Sequence, residues 1–147
     1  MIRKAAPGDC ESLVRLARQF TEHSGLPLTF NEERARETIW HYINHPDIDV
    51  LVDDEVTCLA CVTYEVSYYD ELCAYVDKFY VGKPSFAGGS LLARAVVEHA
   101  EVRGAKLIFA IAGAQFGERS ERFFVRLFER HGFRILGRTL MRARWDS

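Results

Sequence analysis

The alternation of apolar and polar residues along this chain predicts an ordered series of strands and helices. Apolar residues three and four positions apart indicate amphipathic helices, whereas period-two or continuous apolar runs indicate strands. Four helices are predicted. Two begin after Asp9 and after Asn31, and the other two cover residues 91–103 and 120–131. The predicted strands cover residues 2–5, 49–53, 56–66, 73–81, 106–112 and 135–145. The run over 106–112 is almost entirely apolar, so we expect that strand to be covered on both faces.

Local start and stop signals support these boundaries. Asp9 follows Pro7-Gly8 and is predicted as a helix N-cap. Gly25, Gly104 and Gly132 are predicted to end helices, because glycine readily adopts the left-handed conformation found at helix C-termini. The order β-α-α-β-β-β-α-β-α-β therefore predicts a single mixed α/β domain over residues 1–147.

Composition narrows the functional classes. The chain has 147 residues, of which 48% are apolar and 27% charged, as is typical of one globular domain. A net charge of −2 gives no reason to expect nucleic acid or an anionic membrane as a partner. The start of the chain has no apolar run of the signal-peptide kind, and no segment has the apolar length of a membrane span. We therefore expect a cytoplasmic protein whose four cysteines are reduced.

The segment between the strand 73–81 and the helix 91–103 contains the adjacent glycines Gly88 and Gly89, followed by Ser90. A helix N-terminus carries a partial positive charge, and glycines let its backbone approach a phosphate closely. The same glycines are compatible with an ordinary tight turn between a strand and a helix. The pattern alone leaves both interpretations open.

The whole series of elements resembles the GNAT superfamily of N-acetyltransferases. The resemblance rests on the strand AYVDKFYV, the glycine segment, the helix and apolar strand that follow, and the ending RLFERHGF of the late helix. The resemblance covers essentially the whole chain. It includes compact family members of the kind found in phage genomes. It implies a mixed, mostly antiparallel sheet flanked by about four helices. It also implies acetyl-CoA as co-substrate, without a metal, and direct acetyl transfer to an amine of a small molecule or protein.

The resemblance further implies a set of cofactor-binding residues. In this family the strand before the glycine segment splays from its neighbour, and backbone groups near its end bind the pantetheine arm and the acetyl carbonyl. That role carries over to Tyr80 and Val81. The loop and the helix N-terminus bind the pyrophosphate, and the late helix contributes one more residue. The remaining cofactor-binding positions are Lys83, Ser85, Phe86, Ala87, Gly88, Gly89, Ser90 and Phe128.

Two positions depart from the family pattern. The family loop carries an arginine or glutamine that is missing here in every alignment of the loop, and Lys83 is the available cation. Because lysine lacks the bidentate geometry of arginine, we expect cofactor binding weaker by about one to two decades. Phe128 stands where many members have a tyrosine that protonates the departing thiolate. A thiol with a pKa of about 8.5 can leave without that proton.

The reaction also favours a positioned base, because an amine with a pKa of about 10.4 is almost entirely protonated at neutral pH. The period-two rule puts Tyr75, Asp77, Phe79 and Val81 on one face of their strand. Some family members carry a base at the positions of Asp77 and Tyr75, so we predict Asp77 as general base with Tyr75 beside it. Glu65 on the neighbouring strand is the second choice. The alternative is that Asp77 pairs with a nearby cation and has no catalytic part.

Metal-type spacings elsewhere are predicted to be structural. Cys58 and Cys61 face opposite sides of a strand, and His41 and His45 lack an evident third ligand, so we predict no metal site. The tyrosines and acids of residues 64–71 are expected to border the acceptor side, where they suit a cationic amine.

Two other functions stay open at this point. A catalytically degenerate GNAT-like module that binds a protein partner is the main alternative, because the loop arginine and the helix tyrosine are both missing. A nucleotide-phosphate domain of another fold is the third, although the small size and the Gly-Phe helix ending argue against it. The acceptor is not specified by any pattern, and a homodimer is common in such folds.

Overall fold

The computed structural model describes residues 1–82, 86–111 and 118–137. These residues form five strands, four helices and a 3₁₀ turn at Pro7–Asp9. The strands are β1 (Ile2–Lys4), β2 (Ile48–Asp53), β3 (Cys58–Glu65), β4 (Cys73–Val81) and β5 (Leu107–Ala110). The helices are α1 (Cys10–Ser24), α2 (Glu32–Asn44), α3 (Phe86–Val102) and α4 (Glu118–Arg130).

The strands form one sheet in the order β1-β2-β3-β4-β5. The pairs from β1 to β4 are antiparallel, whereas β4 and β5 run parallel. α3 lies between the two parallel strands in the chain, as the crossover of a parallel pair requires. The predicted fold class, a mostly antiparallel mixed sheet with four flanking helices, is confirmed for the described residues.

The two faces of the sheet carry different helices. On β3, Ala60 and Val62 pack in a core with α3, whereas Leu59 and Cys61 pack in a core with α1 and α2. These are termed the α3 face and the α1/α2 face. The fully buried Leu127 joins α4 to α3. The sheet is therefore a middle layer between two layers of helices.

A buried carboxylate ties several elements together on the α3 face. Asp49 of β2 accepts hydrogen bonds from Tyr64 Oη at 2.7 Å and from Arg103 Nη2 and Nε at 2.8 and 3.1 Å. Lys4 Nζ lies 3.2 Å from the same carboxylate. Burial disfavours the charge on Asp49, but the hydrogen bonds outweigh it and hold its pKa below the usual range. Tyr64 thus belongs to this network and not to the predicted acceptor-side cluster.

Several predicted boundaries are wrong. α3 begins at Phe86 instead of residue 91, and β5 ends at Ala110 instead of residue 112. Asp9 occupies the N-cap position of α1 as predicted, but its side chain makes no capping hydrogen bond. Its carboxylate instead accepts from the Ala6 N–H and pairs with Arg3, both at 2.7 Å. Of the predicted last strand, residues 135–137 are not in a strand, and residues 138–147 lie outside the described residues.

Candidate active site

β4 loses one of its two neighbours halfway along its length. It pairs with β3 over its whole length, but with β5 only over residues 73–76. β5 ends at Ala110, so no described strand pairs with the β5 side of residues 77–81. Backbone groups at such an edge need partners from outside the sheet. The predicted backbone ligands Tyr80 and Val81 both lie in this opening between β4 and β5.

A bulge in β4 lies at the start of that opening. Lys78 is the partner of Cys61, and Val76 is the partner of Val62, so Asp77 is the extra residue in β4. An inserted residue of this kind reverses the side-chain alternation beyond it. The sequence contains a signal for the bulge, since Asp77 and Lys78 are two consecutive charged residues in an otherwise apolar strand.

The bulge overturns the prediction that four side chains of β4 share one face. Phe79 and Val81 pack against the core of the α3 face. Asp77 Oδ2 instead accepts a hydrogen bond from Thr63 Oγ1 at 2.9 Å, and Thr63 has the strand parity of the α1/α2 face. Tyr75 is the partner of Thr63 in the ladder and shares that face. Asp77 and Tyr75 are therefore on the opposite side of the sheet from Phe79 and Val81.

The three residues predicted for acid–base chemistry lie together on the α1/α2 face. Tyr75 stacks on Phe109 of β5, with ring centroids 5.3 Å apart, and Glu65 lies opposite Cys73 in the ladder. Desolvation raises the pKa of Tyr75, and the nearby Cys73 and Glu65 add to the shift. A raised pKa favours the protonated phenol of Tyr75, which can donate a hydrogen bond. Asp77 and Glu65 are both exposed carboxylates.

The glycine segment is the first turn of α3 and not a loop, so that predicted boundary is wrong. Residues 86–90 are helical. A Cβ added to Gly89 would lie 2.9 Å from Leu127 Cδ2, so the missing side chain lets α4 pack closely against α3. Ser90 Oγ lies 3.0 Å from Nε2 of His131, just beyond α4. Gly89 and Ser90 thus hold the two helices together.

The cofactor-binding prediction for this segment now depends on the helix start. Phe86, Ala87 and Gly88 form the first residues of α3, where the helix dipole places its positive end. A phosphate at this position keeps its physical basis, one turn earlier than the sequence suggested. Lys83 and Ser85, the other two predicted ligands, lie outside the described residues.

Phe128 belongs to an aromatic cluster at the α3 side of the opening. Its ring centroid lies 4.9 Å from that of Phe79, 4.4 Å from Phe124 and 4.9 Å from Phe133. Phe79 lies in the half of β4 that has no β5 partner, so the cluster reaches the predicted cofactor position. Only 3% of Phe128 is exposed, and its ring supplies an apolar wall.

The side chain of Tyr80 lies on the α1/α2 face, opposite to Phe79, and packs in the core there. Its hydroxyl lies 3.3 Å from Nδ1 of His23, and its ring packs edge-on against Phe20. Burial raises the pKa of its phenol. The role predicted for Tyr80 involves only its backbone and is compatible with this side-chain position.

The cysteine and histidine pairs show no metal geometry. Burial raises the pKa of Cys58 to about 12 and that of Cys61 to about 11, so both remain neutral thiols. His41 and His45 pack edge to face, with ring centroids 5.3 Å apart. Within the described parts of the chain, no three His, Cys, Asp or Glu side chains converge as metal ligands.

The sequence did not indicate a cavity of about 320 Å³ between α1, α2 and the sheet. This α1/α2 cavity is formed by segments far apart in the chain, which explains why no local pattern revealed it. Its lining includes Leu13 and Ala17 of α1, Ile39 and Tyr42 of α2, Leu59 of β3 and Lys78 of β4. It opens beside the bulge, on the face that carries Asp77.

Comparison with known proteins adds fold-level information. No protein-family model matches the sequence, and a search of curated proteins finds no match. A candidate acetyltransferase from Arthrobacter sp. FB24 matches with a TM-score of 0.75 and 22% identity, covering 100% of this chain and 95% of that one. A GNAT family acetyltransferase from Staphylococcus aureus matches with a TM-score of 0.65 and 18% identity, covering 80% and 89%. An integron cassette protein from Cole Harbour Salt Marsh matches with a TM-score of 0.76 and 21% identity, covering 99% and 91%.

The chain has the GNAT fold. The family resemblance inferred from the sequence is thereby confirmed at the level of architecture. The likeness is one of fold, so the activity of this GNAT-fold chain has to be argued from its own residues. None of its described helices is long and apolar enough to cross a membrane.

Proposed function

We propose that this GNAT-fold chain is an acetyl-CoA-dependent N-acetyltransferase that transfers the acetyl group directly to an amine. The observation that carries the proposal is the opening between β4 and β5, where half of β4 has no described strand on its β5 side. An unpaired strand edge followed by a helix N-terminus suits a ligand with amide groups followed by phosphates. The pantetheine arm and the pyrophosphate of acetyl-CoA have this order.

The proposed cofactor contacts are mostly backbone contacts. Backbone groups of Tyr80 and Val81 bind the pantetheine arm, and the first turn of α3 faces the pyrophosphate. Phe79 and Phe128 form the apolar wall of the opening on the α3 face. Lys83 is proposed as the phosphate cation in place of the arginine that the family carries. Backbone contacts do not depend on the arginine that this chain lacks, so the proposal tolerates its loss.

Asp77 is proposed as the general base. The amine nitrogen attacks the thioester carbonyl carbon, the C–S bond breaks with its electron pair leaving on sulfur, and the amine proton passes to Asp77 directly or through water. The hydrogen bond from Thr63 orients the Asp77 carboxylate. Phe128 cannot donate a proton, so the thiolate leaves unprotonated, which its pKa of about 8.5 tolerates. Tyr75, beside Asp77 on the same face, is proposed to donate a hydrogen bond to the acceptor.

The two departures from the family pattern support a second candidate function. Without the loop arginine and the helix tyrosine, the chain could retain the frame as a module that binds a protein partner without transfer. Cofactor binding and turnover separate the two candidates.

Calorimetric titration with acetyl-CoA tests the cofactor half of the proposal, with coenzyme A and ATP as matched ligands. We expect a Kd of about 1 μM to 1 mM for both coenzyme A species and no binding of ATP. Absence of both heat and thermal stabilisation at about 1 mM acetyl-CoA would favour the binding module.

Turnover of Asp77→Asn tests the catalytic half. We expect kcat, measured as coenzyme A release with a panel of amino acids, polyamines and peptides, to fall by about 10²–10⁴. The thermal midpoint and the acetyl-CoA affinity should not change, because Asp77 is exposed and asparagine can still accept from Thr63. Asp54→Asn, in the exposed turn between β2 and β3, is the matched control. Full turnover of Asp77→Asn would remove Asp77 as the base.

A further inference from the structure

The α1/α2 cavity indicates the class of acceptor, an inference that rests on the proposed function. Its volume of about 320 Å³ is at the small end of the range for small-molecule pockets, ~300–1,000 Å³. Cys61 and its ladder partner Lys78 both line the cavity. Asp77 directly precedes Lys78 in the bulge, so the proposed base is one residue from the cavity lining.

The walls of the cavity are mainly apolar. Both helices contribute apolar side chains, and the connection between α1 and α2 contributes Leu28 and Phe30. Arg18 lies over the Phe30 ring at 4.7 Å and pairs with Glu32 at 3.5 Å, which holds that connection over the cavity. Burial of the apolar part of a ligand against such walls is favourable, because it removes apolar surface from water.

The charged groups of the cavity are all of one sign. Among the described residues, both charged residues that line it, Arg34 and Lys78, are cations, and no acidic residue lines it. The Lys78 ammonium lies 5.0 Å from the centroid of the Tyr42 ring, so a cation–π contact holds it at the cavity. A ligand with an anionic group is therefore favoured, and a polycation is disfavoured.

The bulge sets the geometry of recognition. Consecutive residues of a regular strand point to opposite faces, but the bulge puts Asp77 and Lys78 on the same face. A carboxylate and an ammonium thus stand side by side at the edge of an apolar cavity. An α-amino acid carries the complementary pair, with its amine and its carboxylate on one carbon.

We propose that the acceptor is a free α-amino acid with an apolar side chain. Its amino group lies at Asp77, its carboxylate at Lys78, and its side chain in the α1/α2 cavity. Attack by the amine forms the N–C bond of an N-acetyl amino acid, breaks the C–S bond and delivers the proton to Asp77. The product has no ammonium for Asp77, which weakens its binding and favours its release.

Leucine, leucinamide, glycine and spermidine are compared as acceptors by coenzyme A release. Leucinamide lacks only the carboxylate, and we expect its kcat/KM to be about 10–100-fold below that of leucine, since a charge-assisted hydrogen bond is worth ~1.5–3 kcal/mol. Glycine lacks the apolar side chain and should be lower than leucine by at least ~10-fold. Spermidine, a polycation, should be the poorest acceptor.

Lys78→Gln identifies the group that reads the carboxylate. It should reduce kcat/KM for leucine to the value for leucinamide and leave leucinamide unchanged. Lys106→Gln, which removes an exposed lysine outside the cavity, is the matched control. A preference for leucine that survives in Lys78→Gln overturns the placement at Lys78, and spermidine as the better acceptor overturns the inference while leaving the proposed function intact.

Direct binding separates failure of the inference from failure of the proposed function. Leucine is titrated calorimetrically against wild type and Lys78→Gln, without acetyl-CoA. Lys78-dependent binding of leucine without any binding or turnover of acetyl-CoA would support the cavity as an amino-acid site and reject the transferase. Turnover of acetyl-CoA on other amines, with no binding of leucine, would reject the amino-acid site alone.

Discussion

The two faces of the sheet differ at the places that the proposed function uses: side chains pack closely where α4 meets the start of α3, whereas a cavity lies between α1, α2 and the strands. On the α3 face, Gly89 lets Leu127 approach within contact distance, and Asp49 is fastened by Tyr64 and Arg103. On the α1/α2 face, a cavity of about 320 Å³ lies among side chains of α1, α2 and the strands. A packed face holds backbone groups in fixed positions, whereas an open face leaves its side chains to select a ligand.

The difference explains how the chain could work without two family side chains. Packing on the α3 face fixes Phe79 and Val81 of β4 and Gly89 of α3. In the proposed function, recognition by the backbone at these places would not depend on the missing arginine or tyrosine. On the α1/α2 face, the roles proposed for Asp77 and Lys78 depend on their side chains. We therefore expect substitutions on the α3 face to change stability and substitutions around the α1/α2 cavity to change acceptor specificity.

Removing the contact between α3 and α4 should have the largest effect on stability. Leu127→Ala deletes a side chain with no exposed surface and should lower the free energy of unfolding by about 2–5 kcal/mol. Urea unfolding measures the loss. Leucine binding to the α1/α2 cavity should be retained at temperatures where the variant is folded, since that cavity lies on the other face.

A second substitution tests whether the lost contact between Leu127 and Gly89 causes the destabilisation of Leu127→Ala. In the Leu127→Ala background, Gly89→Ala should raise stability, because its Cβ occupies space that Leu127 vacated and alanine gains about 1 kcal/mol over glycine within a helix. Further destabilisation by Gly89→Ala would contradict this account of the packing.

The buried carboxylate should give the next largest effect. Arg103→Met removes two hydrogen bonds to Asp49 and should cost about 1–3 kcal/mol at neutral pH. Because the folded-state pKa of Asp49 is lowered, its contribution is present above its unfolded pKa of about 3.9 and is lost as pH falls through the folded pKa. The difference between wild type and Arg103→Met should therefore shrink below about pH 4. Urea unfolding across that range measures it.

Arg94→Met is the matched control for this pair. Arg94 and Glu98 are exposed partners one helical turn apart, whose pairing is worth only ~0.2–0.5 kcal/mol. An equal loss in Arg94→Met and Arg103→Met would show that burial of Asp49 adds nothing.

One larger side chain placed on each face should act with opposite sign. Gly89→Leu forces a side chain against Leu127 and should destabilise by about 1–3 kcal/mol. Ala35→Leu projects into the cavity and should be neutral or stabilising by up to about 2 kcal/mol, while raising KM for leucine. Thermal unfolding and acceptor kinetics of the two variants test the comparison directly. Equal destabilisation by both variants would mean that the space beside Ala35 is as tightly filled as the space beside Gly89.

The smallest effect concerns the thiols. All four cysteines are buried, and burial raises the pKa of Cys10, Cys58 and Cys61. At about pH 8 a water-soluble aromatic disulfide should therefore modify the native protein much more slowly than the urea-unfolded chain. Rapid modification of a thiol in the native protein would show that one of the two cores opens readily.

Local patterns were sufficient for most of the architecture. The predicted bounds of β4 match the structure, and the order of elements through α4 was predicted from apolar periodicity and from start and stop residues. Asp77, Tyr75 and Glu65 were selected by the chemistry of amines and by family resemblance, and the structure brings them to one face. These features depend on neighbours in the chain or on strand periodicity.

Only the tertiary structure decided the rest. The sequence Gly88-Gly89 is typical of a turn, but in the structure it belongs to α3. Leu127 of α4 packs against Gly89, where a side chain would collide with it. The bulge reverses the faces of β4 because its register with β3 shifts by one residue, and register belongs to two strands together. The cavity and the burial of Asp49 likewise arise from segments distant in the chain. Sequence periodicity determines which residues become strands and helices, whereas which side chains meet depends on how those elements pack.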